Sequence, residues 1–213
     1  MNDRNRISDM RVFPKSRRGE PTWEVAQFFP TQGEWTEADY LALETNRLVE
    51  LSDGFLEVLP MPTHYHQMIV AFMYDLLKAF ATAHAPGIVL FAPLPMYLRK
   101  DKYREPDLLY MRAENVNRIQ DYWQGADLLM EVISPSNPEH DHRTKREEYA
   151  LAGIPEYWII DVFEKRILVL TLDGQVYRVH GEFGPGTQAT SVLLPGFAVA
   201  VDQVMALAAS EDA

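Results

Sequence analysis

The stretch "DLLMEVISPSNPEHDHRTKREEYALAGIPEYWIID", residues 127–161, decides the fold. Its "LLMEVI" portion reads as a buried strand, yet Glu131 stands in the middle of it. A carboxylate there is costly unless a partner cation, a metal ion or a raised pKa compensates it. Next, "PSNPEHDHRTKREEYALAG" reads as a loop and then a helix stopping at Gly153, a residue suited to the position just past a helix end. "PEYWIID" follows as another strand.

Working outward, "IVLFAPLPMYL" and "EPDLLYM" read as two strands joined by a polar turn, "RKDKYR". Upstream, "THYHQMIVAFMYDLLKAFATAHAPG" is the best helix in the chain. Apolar residues nearly encircle it, which predicts that it is largely buried. "RLVELSDGFLEVLP" reads as a hairpin turning at Asp53-Gly54, and "TEADYLALE" as a short helix with Thr36 as its N-cap. Downstream lie a second hairpin, "RILVLTLDGQVYRVH", then "ATSVLLPGFAVAV" and a short terminal helix. The order helix, three strands, helix, strand predicts an α/β (α+β) chain: a mixed central sheet flanked by helices, with hairpins added at both ends. Residues 1–34 are expected to form an irregular basic arm, and residues 35–213 one domain.

Composition narrows the function. The chain has 213 residues, a net charge of −11 and no cysteine. Disulfides and thiolate metal sites are therefore excluded, and the cytoplasm is the expected compartment. No apolar run is long enough to span a membrane. The charge disfavours a protein that coats nucleic acid non-specifically. Residues 1–20 nevertheless hold six Lys/Arg against three Asp/Glu.

Strand alternation places Asp107 with Leu109 and Met111, and Glu131 with Leu129 and Ile133. Two carboxylates on adjacent central strands repel unless something sits between them. A divalent cation resolves the conflict, since Mg²⁺ takes one or two carboxylates plus waters, and the Val132 carbonyl could add an oxygen. In the following helix Asp141, Lys145 and Glu148/Tyr149 share one face. If that face looks back at the acids, Lys145 can hold an attacking water and offset phosphate charge. Against this stands a solvated face on which Lys145 pairs with Asp141 or Glu148.

The segments "EPDLLYM", "LLMEVISPSNPEHDHRTKREEYALAGIPEYWIID" and "LVELSDGFLEVLPMPTHYHQ" resemble the Uma-two family, restriction-endonuclease-like proteins of the PD-(D/E)xK nuclease superfamily. The resemblance covers roughly residues 35 to 200. It implies the restriction-endonuclease-like core and hydrolysis of DNA phosphodiester bonds with Mg²⁺ or Mn²⁺. Asp107 matches the motif aspartate and Glu131 the motif (D/E). Ile133 stands where the motif lysine belongs, and Lys145 on the following helix is the candidate replacement. Glu50 resembles an additional acid of some members, although here it falls in an expected strand. His66 is placed to approach the same site.

The His64-x-His66 and His140-x-His142 pairs invite a zinc reading, but neither sits on a strand and no cysteine assists. Tyr149 and Tyr157-Trp158 read as core rather than base-stacking residues. The leading expectation is a metal-dependent endonuclease acting on DNA, with a homodimer by analogy. The alternatives are a catalytically inactive binding or assembly module of the same fold, and a hydrolase of smaller phosphate esters.

Overall fold

The computed structural model describes residues 29–43, 45, 47–133 and 140–208, without the side chains of 140–142. Most of the expected basic arm and the loop 134–139 lie outside the described residues. Helix α1 (Glu37–Leu41) starts where the sequence predicts. The Thr36 hydroxyl accepts from the Asp39 N–H at 3.2 Å, and the Asp39 carboxylate accepts from the Thr36 N–H at 3.0 Å. Strands β1 (Val49–Ser52) and β2 (Phe55–Val58) form the expected hairpin. Asp53 and Gly54 have φ of 51° and 88°, the left-handed pair that this tight turn requires. A Cβ on residue 54 would also lie 2.6 Å from the Gly33 carbonyl oxygen. Gly33 donates to that turn, and the Gln32 carboxamide bonds both polar groups of the Leu56 backbone. The end of the expected arm is thus tied to the hairpin.

Helix α2 (His64–His84) is capped by Thr63. It is not largely buried. Only Ile69, Val70, Met73, Leu77 and Ala81 are buried, a single stripe, while Met68 is 43% exposed. The helix lies against one face of a sheet, so its remaining apolar residues stay at the margin or in solvent.

The apolar run after it also differs from expectation. It breaks at Pro93 and Pro95, which lack the N–H groups that a continuous strand would use. The run yields β3 (Gly87–Phe91) and β4 (Met96–Arg99), which join different sheets. Of the expected turn "RKDKYR", only Lys100 and Asp101 turn, while Arg99 ends β4 and the last three residues form β5 (Lys102–Arg104). β6 (Leu108–Arg112), β7 (Trp123–Gln124) and β8 (Leu128–Val132) follow. A π-helical segment, His140–Lys145, then leads into α3 (Arg146–Leu151). β9 (Glu156–Asp161), β10 (Arg166–Asp173), β11 (Val176–Phe183), β12 (Gln188–Thr190), β13 (Ala198–Ala200) and α4 (Val201–Ala208) complete the described chain.

A six-stranded sheet ordered β11-β10-β9-β8-β6-β3 forms the centre, and only its β8–β9 pair is parallel. A five-stranded sheet, β2-β1-β5-β4-β7, carries the first hairpin, and β12 pairs with β13. The central sheet is therefore mixed and flanked by helices, as predicted. Its pleat divides the core. Leu128, Met130 and Val132 face α2 and α4, whereas Leu129 and Ile133 face α3 with Tyr149 and Ala150. By the same alternation Glu131 belongs to the α3 side.

Candidate active site

The β6–β8 register pairs Leu108 with Met130, Leu109 with Leu129 and Tyr110 with Leu128. Continued by one residue, it sets Asp107 opposite Glu131. Asp107 stands immediately before β6, and its Oδ2 accepts from the Val132 N–H at 2.8 Å. The same oxygen lies 3.1 Å from Nε2 of His66, in the first turn of α2. On the other edge of β8, the Ile133 N–H donates to the Ile160 carbonyl. A strand residue presents its N–H and C=O to the same side, so the Val132 carbonyl also faces the Asp107 side.

Glu131 is buried, 3% exposed. Its Oε1 accepts from Lys145 Nζ at 2.9 Å and from the Tyr149 hydroxyl at 2.7 Å. The opening puzzle is resolved here: a cation and a hydroxyl, four residues apart, compensate the carboxylate in the strand. Burial and the charge of Glu131 push the Tyr149 hydroxyl well above its ordinary pKa, so it remains a donor. The expected helix face does look back at the strand through Lys145 and Tyr149. Glu148 turns elsewhere, and the Asp141 side chain lies outside the described residues.

Glu50 lies on β1 and is fully buried. Its carboxylate accepts from Arg104 Nη1 at 2.8 Å and from the Glu105 N–H at 2.9 Å. Arg104 also donates through Nε and Nη2 to Glu148, at 2.7 and 2.9 Å, and through Nη1 to Glu57 at 3.0 Å. Lys102 Nζ donates to Glu148 at 2.9 Å. Burial opposes the guanidinium charge, but Glu148, Glu50 and Glu57 outweigh it and raise the Arg104 pKa. Burial would likewise raise Glu148, but its bonds and charge pairing with Arg104 and Lys102 hold it below the usual carboxylate range.

Glu105 is a residue that sequence reasoning missed. It is 8% exposed and lines a cavity of about 570 Å³ together with His66 and Asp107. Burial first, and then the charge of Glu50, push its carboxyl up to about 7. The available signal was an acid two residues before Asp107, in "REPD".

Neither zinc reading gains support. His66 faces Asp107, His64 packs edge-on against Tyr65, and the side chains of His140 and His142 lie outside the described residues. Among the described residues no three His, Cys, Asp or Glu gather as a metal-holding group. The donor chemistry of Asp107, Glu131 and the Val132 carbonyl still suits Mg²⁺, which uses few carboxylates and retains waters. Tyr157 and Trp158 are buried on opposite faces of the sheet, as expected of core residues.

The fold that places Asp107 just before β6 and Glu131 on β8 is a mixed sheet flanked by helices. A solved structure titled "Crystal structure of a putative nuclease belonging to DUF820 from Anabaena variabilis ATCC 29413" shares it, with a TM-score of 0.69. That likeness spans 81% of this chain and 98% of the other at 16% identity. The chain belongs to the Uma2 family, whose model is described as "Putative restriction endonuclease" and matches residues 37–202. No curated protein matches it. No helix among the described residues is long and apolar enough to cross a membrane.

Proposed function

We propose that this protein is a metal-dependent endonuclease that hydrolyses phosphodiester bonds of DNA in the cytoplasm. The family and the fold support the class. The observation that supports the reading is that Asp107 accepts from the Val132 N–H while the preceding residue, Glu131, holds the Lys145 ammonium delivered from a helix. Asp107, Glu131 and the Val132 carbonyl would hold Mg²⁺ or Mn²⁺, which supplies Lewis acidity and a more acidic bound water.

The chain's own groups do the rest. Lys145 orients the nucleophilic water and offsets charge on the phosphate. Tyr149 fixes the Glu131 carboxylate from below. His66 holds Asp107 in place, and Glu50 braces the segment that carries Asp107 through the Glu105 N–H. Within the arm at residues 1–34, residues 1–20 carry six Lys/Arg against three Asp/Glu, a positive balance opposite to that of the domain at residues 35–213, and a homodimer would present two such sites to a duplex.

Plasmid cleavage in Mg²⁺ or Mn²⁺ tests the reading. Glu131→Gln and Lys145→Ala should each lower the rate by at least about a hundredfold. Unchanged cleavage by both variants would remove the assigned roles. The lack of a three-residue metal group among the described residues favours one other reading, a binding or assembly module without catalysis. Calorimetric titration with Mn²⁺ separates the two, because a module with an incompetent site takes up no metal.

A further inference from the structure

The cavity beside Asp107 is larger than hydrolysis of a backbone phosphate needs. At about 570 Å³ it falls within the range of roughly 300–1,000 Å³ common to small-molecule sites. Arg47, His66, Gln67, Asp107 and Asp121 line part of it, and Leu59, Pro60, Pro93, Pro95 and Tyr122 give it an apolar wall on which a planar ring can lie. One buried polar group breaks that surface. Glu105 is more than nine-tenths buried and lines the cavity, and its Oε2 has no hydrogen-bond partner. A buried oxygen left without a donor is costly, and a ligand N–H toward which the Glu105 carboxyl turns from the cavity wall would remove the cost.

Resting on the nuclease reading, we propose that this cavity accepts an unpaired base of the substrate strand, and that Glu105 selects bases carrying an exocyclic amino group. Glu105 precedes Asp107 by two residues, so a base held at Glu105 belongs to a nucleotide next to the phosphate held at Asp107. A carboxylate accepts from the amino group of cytosine or adenine. Thymine presents a carbonyl oxygen at the matching position, which the carboxylate repels. Taking a base out of a stack costs a few kcal/mol in a duplex and least in a single strand, so single-stranded or distorted DNA is the preferred form. Apolar insertion also suits an acidic protein, because it draws little affinity from phosphate neutralisation.

The test uses the full chain without metal, with binding followed by intrinsic fluorescence and calorimetry. The probes are the deoxynucleoside monophosphates dCMP, dAMP and dTMP, deoxyribose 5-phosphate, and short single strands of dC or dT. The amino-bearing nucleotides and the dC strand should bind about tenfold tighter than their thymine counterparts, and the base-free sugar phosphate should bind weakest. Glu105→Gln should reduce that preference at least threefold while still melting in one cooperative transition.

Equal binding of all bases, or an unchanged preference in Glu105→Gln, overturns the proposal. Binding of mononucleotides but not of strands overturns the assignment to a substrate strand. Glu131→Gln separates the two readings: it should abolish plasmid cleavage and leave base preference intact. Base preference in a wild-type protein that cleaves nothing would refute the nuclease reading alone.

Discussion

Glu50 and Glu131 are both buried carboxylates on strands, and the two sheets satisfy them differently. In the five-stranded sheet Glu50 meets Arg104, whose guanidinium is shared among Glu50, Glu57 and Glu148, with Lys102 adding a second cation on Glu148. In the six-stranded sheet Glu131 meets the ammonium of Lys145 and the hydroxyl of Tyr149. The first arrangement is over-determined: several bonds converge on one planar group, and α3 is pinned to the hairpin sheet through Glu148. The second keeps a compact point charge next to the edge where Asp107 waits. Arginine suits the fixed fork, and lysine suits a group that also addresses a ligand. One cluster ties a sheet and a helix together, and the other is the one on which the nuclease proposal rests.

The sharpest way to break this contrast is Arg104→Leu. It removes the guanidinium shared by three acids, one of them fully buried, and should cost about 3–5 kcal/mol of stability in urea unfolding. Lys145→Met should cost less, about 2–3 kcal/mol, because Tyr149 still donates to Glu131. It should also remove nuclease activity while Mn²⁺ uptake survives, and a stability loss equal to that of Arg104→Leu would erase the distinction.

Between the clusters, Glu105 carries a pH signature. Its folded pKa is raised from 4.5 to about 7, so the folded chain binds the proton more tightly than the unfolded chain in that window. Stability should therefore fall as pH rises from about 4.5 to 7, by about 1–3 kcal/mol, and Glu105→Gln should flatten that slope in thermal melts. The smallest effect belongs to the cap of α1, far from either cluster. Thr36→Ala should cost about 1 kcal/mol with no change in cleavage.

The elements legible in the sequence were those with strong local chemistry. Asp53-Gly54 specified a turn, Thr36 specified a helix start, and Gly153 specified a stop. Three misreadings share a physical cause, since each depended on which partner a segment would find. The apolar ring of α2 could not reveal that only one sheet face awaited it. The run around Pro93 and Pro95 looked continuous because its two halves are equally apolar, yet they serve different sheets. "RKDKYR" looked like a turn because Lys102 and Arg104 are charged, but their charges are buried against Glu148 and Glu50.

At the candidate site, Asp107, Glu131 and Lys145 were legible through pattern and resemblance, and the structure brings Lys145 onto Glu131. Glu105 was not, because its interest arises from burial and a missing partner rather than from residue type or spacing.

The delivery of Lys145 from a helix has a consequence for the strand it leaves behind. Ile133 occupies the motif position and packs in the same apolar cluster as Tyr149 and Ala150 of α3. An ammonium at residue 133 would have to lodge under that helix and lift it, displacing the segment that now carries Lys145. The two routes for supplying a cation are mutually exclusive in this architecture, so Ile133→Lys would break the Lys145–Glu131 pair instead of adding a second cation beside it.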